Sequence, residues 1–215
     1  MNELFKKGNF QKINNKFMLE GKVALDELSK VQEKFKKSDI DNFLNELHDS
    51  IVGFYLGFKL VNVEKHGFDC KYSEDKDVFL ESKVASLSAN TWNATFNDTN
   101  LDKCEAFRSN QVWIALSLWK NASELLCICY GQNPKIGEYL AGRVANFKNG
   151  NSVRSTQSIS FQKLIRDYGF RVLTISTEPQ ELISILSLKS KSISKSLTLD
   201  IIDTYKNFKG LYSNR

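Results

Sequence analysis

Two histidines and four cysteines in 215 residues leave little from which to build a zinc site. Cys70, Cys104, Cys127 and Cys129 make no CxxC pair, so the spacing that marks zinc ligands is missing. Cys127 and Cys129 fall in the apolar run LLCICY and read as small core residues. No apolar run approaches the ~20 residues that cross a bilayer, which excludes a membrane span. The N-terminal MNELFKKGNFQKINNKF never develops the apolar stretch of a secretory signal. A cytoplasmic location is therefore expected, and disulfides are not. No repeat of fixed period runs through the chain, which removes solenoids and propellers.

What is present is ordinary for a globular protein: 41% hydrophobic and 26% charged residues. The length suits one well-buried core and is short for two, so residues 1–215 read as a single domain. A net charge of +5 favours a polyanionic partner without requiring one.

Residues 17–36 carry Ala24, Leu28, Val31 and Phe35 at helical spacing. A second helix opens at Ser38 or Asp39 and buries Ile40, Phe43, Leu44, Leu47, Ile51 and Tyr55 before Gly57. KLVNVE (59–64), GFDCKYS (67–73) and DVFLESKVAS (77–86) are rich in β-branched and aromatic residues and predict a three-stranded meander. After a polar stretch at 87–100, Thr99-Asn100-Leu101-Asp102 resembles a capping box, opening a short helix with Leu101, Cys104 and Phe107 inward. QVWIALSLW (111–119) and ELLCICY (124–130) are nearly continuous in apolar character, the mark of central strands covered on both faces. Tyr139, Leu140, Arg143, Val144 and Phe147 share one side of another helix. A helix from Ser160 to Tyr168 stopped by Gly169, a strand at 170–176 and a helix starting near Pro179 follow. The serine- and lysine-rich run 186–199 is either helix or a mobile basic segment.

Four acid-x-lysine triplets occur: EGK (20–22), DCK (69–71), EDK (74–76) and ESK (81–83). Only ESK lies inside an apolar strand, where period-two alternation sends Val78, Leu80, Ser82 and Val84 to one face and Phe79, Glu81 and Lys83 to the other. Burying a carboxylate and an ammonium costs several kcal/mol per ion unless they pair or bind a metal. Asp69 lies twelve residues earlier, and a hairpin through SEDKD folds it back toward Glu81. Two converging carboxylates suit Mg2+, which keeps waters and takes a phosphate oxygen. Lys83 is placed to stabilise transition-state charge or to orient and deprotonate a water. The competing reading is a surface Glu81–Lys83 salt bridge with Asp69 as a hairpin residue.

The order helix, strand, strand with GFD, hairpin, strand with FLESK, helix, strand resembles the αβββαβ core of PD-(D/E)xK nucleases over residues 39–130. That resemblance implies a mixed central sheet flanked by helices, an N-terminal helical extension over 1–38 and a C-terminal α/β extension over 131–215. It further implies a Mg2+-dependent endonuclease, with Mn2+ as substitute, in which Asp69 and Glu81 bind metal and Lys83 assists the water. Among family members it looks most like a small type II restriction endonuclease, a homodimer cutting double-stranded DNA at a short palindrome. Phe68 stands where the motif has proline. Some members add an acid from the first core helix, for which Glu46 is the candidate; it reads equally as a solvated helix residue.

Following the catalytic strand, TWNATFNDTN offers Trp92, Asn93, Thr95, Asn97 and Asn100, able to hydrogen-bond or stack on bases. Lys103 is a candidate for DNA phosphates, as are Arg108, Arg143, Lys148, Arg154, Lys163 and Arg166. The same stretch reads as a turn-rich loop with Trp92 and Phe96 buried. No histidine-rich ββα-metal pattern or GIY...YIG pair is present. Two alternatives to restriction stay open: a structure-specific repair or recombination nuclease, and a non-catalytic DNA-binding protein.

Overall fold

The computed structural model describes residues 15–34, 40–60, 68–73, 76–97, 99–109, 111–148, 156–190 and 192–212. The chain divides into two compact units, residues 1–44 and 45–215. In the first, α1 (Asn15–Lys34) leaves Leu19, Val23, Leu25, Leu28 and Val31 exposed. Phe35 of the stripe expected there, and the expected caps Ser38 and Asp39, lie outside the described residues.

The second unit is built on a seven-stranded mixed sheet. Its strands are β1 (Lys59–Leu60), β2 (Cys70–Ser73), β3 (Lys76–Ser86), β5 (Val112–Trp119), β6 (Leu125–Gly131), β8 (Arg171–Thr174) and β9 (Ile202–Thr204), in that spatial order. The three leading strands form the expected antiparallel meander, although most of KLVNVE lies outside the described residues. β3 runs parallel to β5, β5 and β6 are antiparallel, β6 pairs antiparallel with β8, and β8 parallel with β9. β5 and β6 are central, as their apolar runs require. Ile114, Leu116 and Leu118 feed one core; Ala115 and Trp119 feed the core on the opposite face. The architecture is mixed α/β with helices on the sheet, as expected from the sequence.

One face is covered by α2 (Ile40–Leu56), whose Val52 and Leu56 pack with Phe58, Cys70 and Leu80. This is one residue out of phase with the expected stripe: Leu44 is exposed and Leu47, Ile51 and Tyr55 are only half-buried. His48 locks the rotation. Its Nε2 lies 2.8 Å from the Ala122 carbonyl and its ring stacks on Trp119 at 4.2 Å. The other face carries α3 (Leu101–Arg108), α4 (Pro134–Lys148), α5 (Phe161–Tyr168) and α6 (Pro179–Lys189). α5 is closed by Gly169 with φ +71° as expected, while Ser160 stands just outside the helix as its cap, the hydroxyl accepting from Lys163 N–H. In α3 the cap is Asn100 rather than Thr99, and Leu101 is exposed while Cys104 and Phe107 are buried.

The polar stretch after β3 is partly a strand. β4 (Asn93–Phe96) pairs antiparallel with β7 (Gln157–Ser160) in a separate two-stranded sheet. The run 186–199 is helix to Lys189, followed by two short 3-10 turns. No helix among the described residues is long and apolar enough to cross a membrane.

Candidate active site

β3 is the strand that carries the ESK triplet. Its register against β5 is unbroken, Glu81 opposite Ile114 and Lys83 opposite Leu116. Beneath Lys83 the strand is pinned by a relay: Trp119 Nε1–H donates to Ser117 Oγ at 2.9 Å, and the Ser117 hydroxyl donates to the Lys83 carbonyl at 3.0 Å. On its other side β2 pairs Cys70 with Leu80 and Lys71 with Phe79. Extending that register by one step sets Asp69 against Glu81. There the chain leaves the ladder, and Asp69 Oδ2 accepts the Ser82 backbone N–H at 2.7 Å in place of a strand partner.

Glu81 is 2% exposed. Its Oε1 receives Lys83 Nζ at 2.6 Å and Lys103 Nζ, from α3, at 2.8 Å. Burial alone would raise this carboxyl, but the two ammoniums outweigh it and hold it below its ordinary value. Lys83 is the counterpart. Burial pulls its ammonium down, while Glu81, Asp69 and Asp49 together hold it above its ordinary value.

The helix acid that reaches this cluster is Asp49, on α2. Burial first, then the Asp69 charge, push its carboxyl up to about 7, against the pull of Ser82 and Lys83. Asp69 is pushed up to about 6 by burial and the Glu81 charge, against Lys83 and the Ser82 N–H. Three carboxyls thus interact with two ammoniums in a partly buried cluster, and burial and like charge raise both aspartates. The Ser82 hydroxyl belongs to a residue that is only 5% exposed. It lies near enough to Asp49 to lower that carboxyl.

Glu46, the helix acid expected from the sequence, stands half-buried one turn before Asp49. A stripe through Leu47, Ile51 and Tyr55 does not single out Asp49; the buried face centred on Val52 and Leu56 carries it toward the sheet. The expected DNA contacts are distributed differently. Trp92 is buried edge-on against Phe161 with ring centroids 6.0 Å apart, which leaves no face open for stacking on a base. Asn93 donates to Thr91, Thr95 pairs with Ser158 across the β4–β7 ribbon, and Asn97 accepts from Thr156. Asn100 caps α3, accepting from Lys103 N–H at 2.8 Å. Lys103 itself is the Glu81 partner, a connection that sequence spacing could not supply.

Carboxylate oxygens are the donors that a hard divalent cation takes, so the residues fit Mg2+ in kind. Their arrangement is a paired one. With Glu81 Oε1 held by two ammoniums, no three His, Cys, Asp or Glu side chains among the described residues stand in ligating geometry.

No protein-family model, curated protein or solved structure matches the chain.

Proposed function

We propose that the chain is a Mg2+-dependent endodeoxyribonuclease, resembling type II restriction endonucleases, that hydrolyses double-stranded DNA at a short specific sequence and works as a homodimer. The observation that carries this reading is the meeting of Asp49, Asp69, Glu81 and Lys83 at the point where β2 leaves β3. A surface salt bridge does not account for it, because Glu81 is buried and the two aspartates repel each other in the folded protein. Groups with perturbed proton affinities gather at functional sites, since burial and like charge are tolerated where they serve chemistry.

Asp69 and Glu81, with Asp49 beside them, would hold the cation. Mg2+, with Mn2+ as substitute, would polarise a phosphoryl oxygen and acidify a bound water. The protein's own contributions are distinct. Asp69 is oriented by the Ser82 N–H. Lys83, kept charged by three carboxyls, offsets the negative charge that grows on the phosphoryl group during attack. The net charge of +5 draws the polyanion.

The test is a digest of mixed plasmid DNA with Mg2+ or Mn2+. Wild type is expected to give discrete bands, and Asp69→Ala and Lys83→Ala to lose at least about 100-fold in rate. Cleavage confined to branched or mismatched substrates would transfer the site to a repair or recombination nuclease. If wild type and Asp69→Ala bind DNA alike and neither cuts with either metal, the enzyme reading is wrong.

A further inference from the structure

Lys103 is the one member of the cluster whose presence the proposed chemistry does not need. It is the third residue of α3, where the amide N–H groups of the first turn already give the helix end partial positive charge. An ammonium there is locally disfavoured, and the Asn100 side chain has taken the cap by accepting Lys103 N–H. Its Nζ instead reaches across to the sheet and lands on Glu81 Oε1, the oxygen that Lys83 already holds.

The two lysines are not equivalent. Lys83 belongs to a strand held by β5 along an unbroken register, and its ammonium lies 5.8 Å from the centre of the Phe96 ring. Lys103 projects from the first turn of a short helix. Its side chain keeps 26% of its surface exposed, against 20% for Lys83. Two unit charges at one carboxylate oxygen supply what a single divalent ion would supply, so a cation bound at Glu81 would compete with Lys103 for that carboxylate.

We propose that Lys103 is a displaceable counter-charge. It neutralises Glu81 while no cation is present, and it gives up Oε1 when a divalent ion binds. This rests on the nuclease reading above and adds a residue that sets metal affinity. The consequence runs opposite to ordinary damage, because removing Lys103 should tighten metal binding, whereas a variant that merely disturbs the site would weaken it.

The experiment is Mn2+ binding to the full chain without DNA, followed by calorimetry or by the loss of the free-ion paramagnetic resonance signal. Wild type, Lys103→Met, Lys103→Arg and Glu81→Gln are compared at low ionic strength. Lys103→Met is expected to bind on the order of tenfold more tightly, about 1.4 kcal/mol. Lys103→Arg, which keeps the charge, should stay close to wild type, and Glu81→Gln should lose the site. If wild type binds Mn2+ through Glu81 and Lys103→Met binds it equally or more weakly, the counter-charge role is refuted while the metal reading stands. If no protein of the set binds Mn2+ in a Glu81-dependent way, both fall.

Discussion

Replacing Asp49 by asparagine removes one negative charge from the cluster and leaves the shape of the side chain nearly unchanged. In the folded protein that carboxyl is pushed from 3.8 up to about 7 by burial and by Asp69. The folded state therefore binds more protons than the unfolded chain between those values. Its contribution to stability is fully present below 3.8, is lost as the pH rises toward about 7, and stays lost above. At about 1.36 kcal/mol per tenfold in proton affinity, the distance from 3.8 to about 7 amounts to roughly 4 kcal/mol. Asp69 and Lys83 titrate in the same field and share that figure. The net gain expected for Asp49→Asn at pH 8 is thus about 1–3 kcal/mol, or roughly 2–10 °C in Tm for a chain of this size. At pH 4.5 the wild-type group is already protonated when folded, and the gain should shrink below about 1 kcal/mol. Urea or thermal unfolding of both proteins in EDTA at the two pH values measures this. Mg2+ should then stabilise wild type more than the variant. A variant no more stable than wild type at pH 8, or a gain that does not change with pH, would refute the claim of carboxylate repulsion.

Two further substitutions probe how the scaffold holds the cluster. A Cβ on Gly137 in α4 would stand 2.5 Å from the Cys104 carbonyl and 2.7 Å from the Arg108 side chain, so Gly137→Ala should push α3 outward and cost about 1–3 kcal/mol in urea unfolding. Gly142→Ala, on the same helix with nothing within 4 Å, is the control and should be neutral or stabilising by up to ~1 kcal/mol; equal effects at the two positions would remove the steric argument. Ser117→Ala breaks the relay from Trp119 to the Lys83 carbonyl and orphans a buried indole N–H, a loss of about 1–3 kcal/mol by denaturant titration. A loss of only a few tenths would mean that β3 is held by its ladder alone.

How far the site could be read from sequence depends on the range of the interactions that make it. Alternation along VFLESKVA and the short hairpin back to Asp69 are local, and they set residue 69 against residue 81 without any knowledge of the rest of the chain. The charges in ESK also break the rule that a central strand is apolar, and such a breach survives any change in tertiary context. The remaining parts answer to distant segments. β4 exists because Gln157–Ser160 lies beside it, more than sixty residues on, so TWNATFNDTN carries no alternation strong enough to announce a strand alone. Asp49 is harder for a different reason. IVGFYL gives α2 two adjacent apolar stripes, one through Leu47, Ile51 and Tyr55 and one through His48, Val52 and Leu56. Helical periodicity cannot choose between stripes one residue apart. The choice is made by Trp119 and the Ala122 carbonyl, which hold His48 and so turn the next residue, Asp49, toward Asp69. The third acid of the cluster is therefore set by packing on β5 and the turn that follows it, and a substitution at Trp119 should reach Asp49 through the rotation of the helix.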